Sequence, residues 1–560
     1  MNEFADVVSV GQYLAHRLVE LGGPHVFGLP GDFNLTLLDE MLTVDGIDWV
    51  GNTNELNAAY AADAYARTTR GVAALVTTYG VGELSAINGI AGSFAEDVPV
   101  VQITGMPTTA ARNSGALSHH TLVDGDYDHF FRAYREVTVA GAILRPADAS
   151  REIDRVLRAA LDESKPVYLG IPMDIAAAPV SSAPLRRPLR ATPSDPVAVD
   201  DLRTALGEAL AGLDAVTILA GPRIHRRRAE HLLEAIAGHD GVRVATQASA
   251  KSMLPETHPA SIGVYMGQMT PSPATRTAVD EAPVVILAGT VLSDVLTGFY
   301  SMGFDLEASV ELGITSARVG AVTFHDVRLE DSLTVLEEIV AGSPRPVSAP
   351  IEARWPYRVS AASTGPEPLT QHDLWAIVQE WLPTRSIAIA DAGTAMYGAL
   401  ELQMPAGTDL LASPIWSSIG YTLPATLGTS LASDRRSILF IGDGAAQLTA
   451  QELSTILHRG LTPIIVLINN DGYTIERVIQ SPRAVYQDIT RWNWAALPGA
   501  LAPDVPVLTA EVSTPAELQE ALEAAARATD RAVLIEAHLH PDDAPPLLAK
   551  LGAIAGGKAS

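Results

Sequence analysis

The chain has 560 residues, 47% of them hydrophobic, with 65 acidic and 38 basic side chains and a formal charge of −27. That length exceeds one hydrophobic core and predicts two to four domains, and the acidic balance argues against nucleic acid and anionic membranes as partners. With no cysteine present, disulfides, thiolate metal sites and a cysteine nucleophile are excluded.

The opening stretch, MNEFADVVSVGQYLAHRLVE, lacks the basic region and apolar core of a signal peptide. No apolar run reaches the ~18–20 residues that span a bilayer, so a cytoplasmic protein is expected. Strand-like Val72–Val76 precedes the glycine loop Gly80-Val81-Gly82. Helix-like Glu83–Phe94 follows, then strand-like Pro99–Ile103. Residues 178–197, rich in Pro and Ser, have neither helical nor strand periodicity and predict a linker. The alternation resumes at Val216–Gly221 and Val284–Gly289, and a second linker is predicted over 342–369. Near the end, Ile438–Ile441 precedes Gly442-Asp443-Gly444, a helical stretch covers Thr449–Arg459, and Pro463–Ile468 follows. Thr449 and Glu452 have capping-box spacing, and Gly460 is placed to stop that helix. Gly80 to Pro99 and Gly444 to Pro463 both span 19 positions, which predicts two similarly built domains. Strand–helix alternation implies parallel sheets covered on both faces, with ligands at the strand carboxyl ends. The expected domains are 1–178, 198–342 and 369–560.

Several polar residues lie outside the apolar runs. Asp32 suits a turn or a helix N-cap before Leu35–Leu38. Glu55 suits the first turn of an Ala-rich helix, where the dipole favours a carboxylate. The adjacent His119 and His120 suit a solvated loop or a metal, although they lack the i,i+4 spacing of a helical zinc pair. Glu476 suits a surface helix. The segment from Gly442 to Glu476 is more specific. Asp443 and Asn470 end neighbouring strand-like runs and can share one hard cation, with the Gly472 carbonyl as a third ligand. Mg²⁺ prefers such an oxygen octahedron and shares it with phosphate groups, so two diphosphate oxygens and a water would complete the shell. The tight Gly442-Asp443-Gly444 turn lets backbone N–H groups approach an anion.

GDG, then 24 residues, then NN and DGYTIE resembles the signature of thiamine diphosphate enzymes, and more narrowly the pyruvate and indolepyruvate decarboxylase family. The resemblance covers nearly the whole chain and is least distinctive in the middle. It implies an α/β fold of three doubly wound parallel-sheet domains: an N-terminal pyrimidine-binding domain, a middle domain and a C-terminal diphosphate-binding domain. The segment NELNAAYAADAYAR resembles the one whose glutamate hydrogen-bonds the aminopyrimidine, which makes Glu55 the cofactor activator. The segments around Asp32, His119, His120 and Glu476 resemble those that handle protons beside the thiazolium carbon, a task suited to imidazole. Pro414–Thr422 resembles the aminopyrimidine cradle, with Ser417 contributing its backbone carbonyl and Ile419 bending the cofactor. Thr394, Gly442, Gly444, Ala445, Ala446, Tyr473 and Thr474 would complete the cofactor contacts, beside Asp443, Asn470 and Gly472 on the metal. Ala392 stands where relatives carry a longer polar residue, so Ala392, Met396 and Ile475 are expected to line a roomy substrate pocket, with Leu548 near it.

The resemblance implies non-oxidative decarboxylation of a 2-oxo acid to an aldehyde and carbon dioxide, using thiamine diphosphate and Mg²⁺. Branched-chain or aromatic 2-oxo acids are the expected substrates, and a pyruvate-preferring enzyme is the alternative. A carboligase of the acetolactate synthase type is a second alternative, opposed by the histidine pair and the Gly-Tyr-Thr-Ile-Glu ending. A regulatory cofactor-binding module would not need Glu55. Family habit implies a homodimer at minimum, commonly a homotetramer, with sites formed between N- and C-terminal domains of different subunits.

Overall fold

A computed structural model of the protein describes residues 5–347, 351, 357 and 366–557. It contains parallel α/β domains as the alternation predicts. Contacts divide the chain into two compact units, Met1–Thr192 with Leu427–Ser433, and Pro193–Thr426 with Asp434–Ser560. No helix among the described residues is long and apolar enough to cross a membrane.

The first unit is built on six parallel strands, in spatial order Asp48–Gly51, His25–Gly28, Ala73–Thr78, Val100–Met106, Val167–Pro172 and Ala140–Ile143. The central strands are buried throughout, which is why they form continuous apolar runs rather than alternating ones. Ala74, Val76, Val101 and Ile103 share a core with the helices Val10–Glu20 and Ala149–Glu163. Ser9 and Gln12 close a capping box at the first of these helices. Residues of the opposite parity, Thr77, Gln102 and Thr104, point to the other face and bond to one another there. The helices Glu55–Thr69 and Val81–Ala95 pack closely. A Cβ added at Gly89 would stand 2.5 Å from the Ala59 Cβ.

The first linker is more structured than its composition predicts. Pro179–Ser181 pairs antiparallel with Val7–Ser9, and the buried Arg17 guanidinium donates to the Pro184 and Arg187 carbonyls. The partners lie about 170 residues away, so local periodicity carries no trace of them. Most of 342–369 lies outside the described residues.

The second unit holds two sheets. The middle one has the order Ser261–Val264, Val242–Thr246, Val216–Ala220, Val285–Ala288, Val310–Leu312, Ser316–Val319, Val322–His325. Its first five strands are parallel, and the last two add an antiparallel edge. The C-terminal sheet is wholly parallel: Asp409–Leu411, Ile387–Ala390, Ser437–Gly442, Ile464–Asn469, Ala532–His538, Val507–Val512. Its buried strands share a core with Trp375 and Leu522 on the helices Gln371–Trp381 and Pro515–Arg527.

One local expectation fails. A helix starts at Asp443, not Thr449, and runs to Thr449; a second helix covers Glu452–His458. Thr449 makes no capping box, because its hydroxyl donates to the Gly420 carbonyl at 2.7 Å. Gly460 does follow the second helix, at φ +66°.

Candidate active site

In the first unit the chemistry-bearing side chains stand on loops after the strand carboxyl ends. Asp32 follows His25–Gly28 and does not cap the next helix, whose N-cap is Asn34. His119 Nε2 lies 2.8 Å from Asp32 Oδ2, and His120 Nε2 lies 3.9 Å from Oδ1. The His119 ring stacks on Phe33 with centroids 4.9 Å apart, and the two imidazoles are 4.6 Å apart. One carboxylate thus gathers both histidines of the solvated-loop reading into a single cluster. A carboxylate and an imidazole at hydrogen-bonding distance can pass a proton between them.

Glu55 opens the helix Glu55–Thr69, but Asn54 caps it, accepting from the N–H groups of Leu56 and Asn57. Asn54 thus takes the Leu56 and Asn57 N–H groups, and among the described residues the Glu55 carboxyl bonds only its own backbone N–H. It is half-buried, and burial pushes its pKa up, opposed by a backbone hydrogen bond. Its Oε1 lies 3.1 Å from where a Cβ on Gly82 would stand, so a larger residue there would crowd it.

Two features of this region were missed by sequence reasoning. Glu83, fully buried, accepts from Gly80 N–H at 2.8 Å and the Tyr168 hydroxyl at 2.8 Å. Burial holds its carboxyl up at about 7, against the pull of those donors. Gly80 has φ +68°, and a Cβ there would stand 2.0 Å from the His120 carbonyl. Glu83 stands three residues after the N-cap Gly80, where a carboxylate reaches back to the N-cap N–H, and that spacing was the available signal.

In the second unit, Gly442 is the N-cap of the helix Asp443–Thr449. The buried Asp443 carboxylate accepts from Gly444 N–H at 2.8 Å, and burial pushes it up to about 7. A Cβ on Gly444 would stand 2.5 Å from the Tyr473 ring. Asn470 tests whether the group suits a cation. Its side-chain oxygen faces the Gly472 carbonyl at 2.8 Å and Asp443 Oδ1 at 3.2 Å, and its nitrogen faces Thr474 Oγ1 at 2.8 Å. The Thr474 hydroxyl donates to the Pro541 carbonyl, leaving lone pairs for that amide nitrogen. Three converging oxygens repel unless the amide turns over or a cation sits among them. Neighbouring ligands in an Mg²⁺ octahedron are about 2.9 Å apart, from bonds of 2.0–2.1 Å. The spacing and the hard oxygen donors therefore fit the ion, as does a buried carboxylate in want of a counter-charge.

The remaining residues surround this end of the sheet. Ser417 has φ +53°, and its hydroxyl donates to the Pro414 carbonyl, leaving its own carbonyl unspent by that side chain. Ile419 is half-buried. Thr394 opens a helix, and Ala445 and Ala446 are buried in the first turns of another. Asp391, which the sequence did not single out, is fully buried. It accepts from Gly420 N–H, Thr422 N–H and the Thr422 hydroxyl, and burial holds it up at about 6. Ala392 is half-buried, and Glu476 is exposed on the helix Thr474–Ile479. Met396 and Leu548 sit in the domain core, with Ile475 packed against it.

Three family models match the chain in the order of its sheets. They are the thiamine pyrophosphate enzyme N-terminal TPP binding domain over residues 8–127, the central domain over 204–338, and the C-terminal TPP binding domain over 391–537. An alpha-keto-acid decarboxylase of Mycolicibacterium paratuberculosis is 44% identical over 545 residues, covering 97% of this chain and 96% of the relative. Alpha-keto-acid decarboxylases of Mycobacterium ulcerans and Mycobacterium tuberculosis are 43% and 42% identical, covering 97% of this chain and 96% and 97% of their own. With this similarity along its whole length, the chain belongs to the thiamine pyrophosphate enzymes, among the alpha-keto-acid decarboxylases.

Proposed function

We propose that the protein is a thiamine diphosphate- and Mg²⁺-dependent decarboxylase of 2-oxo acids, releasing carbon dioxide and an aldehyde. The observation that carries this reading is the cluster of Asp32, His119 and His120, with His119 hydrogen-bonded to Asp32 and His120 within 3.9 Å of the same carboxylate, after the strand carboxyl ends. In this reading Asp443, Asn470 and the Gly472 carbonyl hold Mg²⁺. The helix start at Gly442, Gly444, Ala445 and Ala446 meets the diphosphate with N–H groups. Thr394, Ser417, Ile419, Tyr473 and Thr474 orient the rest of the cofactor. Bound thiamine diphosphate supplies the electron sink for the pair left when the substrate carboxylate departs. Glu55, its pKa raised by burial, holds a proton to share with the aminopyrimidine. Asp32, His119, His120 and Glu476 deliver the proton that replaces carbon dioxide.

Branched-chain or aromatic 2-oxo acids are the preferred substrates. Ala392 supports this: its methyl leaves room for apolar substrate surface, worth roughly 25 cal/mol per Å² buried before ordering costs. Met396 and Ile475 line the same pocket. The protein acts in the cytoplasm as a homodimer or homotetramer, with domains at 1–178, 198–342 and 369–560. Initial rates of carbon dioxide and aldehyde release across pyruvate, branched-chain, phenyl- and indolepyruvate test the reading. Aldehyde from the larger acids with higher kcat/KM than from pyruvate is expected. Condensed hydroxyketones without free aldehyde would overturn the reaction, and a clear preference for pyruvate would overturn the substrate.

A further inference from the structure

The Asn470–Gly472 loop is held from outside by the segment that follows the helix Thr474–Ile479. After the helix Thr474–Ile479 the chain returns along residues 482–491. Tyr473 N–H donates to the Gln487 carbonyl at 3.0 Å, and Gly472 bridges Asp488. The buried Arg477 guanidinium ties the return in place. Nη1 donates to the Pro482 carbonyl at 2.9 Å, and Nη2 donates to Asp488 Oδ1 at 2.7 Å and the Gln487 carbonyl at 3.2 Å. Further along, Arg491 reaches Asp471 at 2.7 Å, and Gln447, on the Asp443 helix, donates to the Thr490 carbonyl at 2.5 Å. One segment is thus tied to both loops that carry the converging oxygens.

The peptide plane gives this a consequence. The Gly472 carbonyl and the Tyr473 N–H belong to one trans peptide and point opposite ways. Since the N–H is bound to Gln487, the carbonyl must face away from the return segment. That is the side where the Asn470 side-chain amide lies, 2.8 Å away. Gly472 has φ +147°, and a Cβ there would stand 2.2 Å from the Gln487 carbonyl and 2.9 Å from Arg477 Nη2, so the contact leaves no slack.

We propose that Arg477 is a positioning residue for the metal site: by fixing the Gln487 carbonyl it orients the Gly472–Tyr473 peptide and aims the Gly472 carbonyl at the cation. This rests on the Mg²⁺ reading above. A lysine has one ammonium where the guanidinium reaches three acceptors, so it replaces the function only in part.

The test titrates apo-protein with Mg²⁺ at fixed thiamine diphosphate, following tryptophan fluorescence, with melting curves recorded alongside. Arg477→Ala should raise the half-saturating Mg²⁺ concentration on the order of tenfold, as loss of a group that orients a metal ligand does. Excess Mg²⁺ should restore cofactor binding, and Arg477→Lys should fall between. If Arg477→Ala does not fold, Arg477→Lys carries the test. Folded variants with parental half-saturation, even with a lowered Tm, would overturn the positioning role. Asp443→Ala run in parallel separates the two readings. If it alone impairs Mg²⁺ binding, the metal reading stands and the Arg477 role falls; if it too leaves binding unchanged, the metal reading falls.

Discussion

Numbered along the chain, the six strands of the N-terminal sheet stand in the order 2-1-3-4-6-5, and so do the six of the C-terminal sheet. The loops after the first four strands of each sheet carry the candidate residues. In the N-terminal sheet they hold Asp32, Glu55, Gly80 with Glu83, and His119 with His120. In the C-terminal sheet they hold Asp391, Ser417 with Ile419, Gly442–Gly444, and Asn470–Gly472. The frame is common and the chemistry is not. The N-terminal loops present titratable groups that are exposed or half-buried, apart from Glu83. The C-terminal loops present the buried Asp443 carboxylate and the Gly472 carbonyl, both facing the Asn470 side-chain amide. The loop after the third strand shows the divergence most sharply. One sheet uses a left-handed glycine braced by Glu83, and the other places Asp443 itself at the helix start. Strand order positions a site, and loop residues decide what it does.

If the C-terminal loops hold the cation, Asp443→Ala should have the largest effect. Its cost to cofactor retention should be about 3–5 kcal/mol, as for removing one partner of a buried charge pair. Calorimetric titration with thiamine diphosphate and Mg²⁺ reads it, and parental affinity would erase the distinction between the sheets. On the N-terminal side, Gly80→Ala forces a strained backbone and a 2.0 Å approach to the His120 carbonyl. A loss of about 3 kcal/mol is expected in chemical denaturation, with decarboxylation falling further than cofactor affinity because the histidine loop shifts.

Glu83→Gln sharpens the comparison through pH. The carboxyl sits at about 7 when folded against 4.5 for the free group, so between these pH values the folded state binds the extra proton. Stability contributed by the protonated form is complete below pH 4.5 and is lost as pH rises to 7, by roughly 3 kcal/mol. The amide variant should therefore show a flatter fall of Tm between pH 4.5 and 7 than the parent. An identical slope would remove Glu83 as the source. The smallest effect concerns the pocket. Ala392→Gln should shift the ratio of kcat/KM between branched or aromatic acids and pyruvate roughly tenfold toward pyruvate, the scale of a filled apolar pocket. An unchanged ratio would detach Ala392 from specificity.

The sequence carried the strand positions well, because fully buried strands leave unbroken apolar runs such as Ile464–Ile468. The equal 19-residue intervals also reflected a real likeness, since both strand–helix–strand units occupy the same places in their sheets. What it did not carry is non-local. The pairing of Pro179–Ser181 with Val7–Ser9 and the bonds of Asp391 to Gly420 and Thr422 depend on partners far along the chain. Thr449 misled for the same reason, since the distant Gly420 carbonyl takes its hydroxyl from the local cap. Motif spacing pointed to Asp443, Asn470 and Gly472, whereas the brace on their loop comes from Arg477 and the return segment.

The proposed function divides the labour: in it the C-terminal loops would hold the cofactor and the N-terminal loops would handle its protons. Hydrogen–deuterium exchange at the thiazolium carbon of bound cofactor, compared between the parent and Glu55→Gln, tests it most directly. Gln keeps the size of the side chain but cannot deliver the proton, so exchange should slow by at least about 100-fold while the cofactor stays bound through Asp443 and Asn470. Exchange at the parental rate in a variant that retains its cofactor would contradict the account.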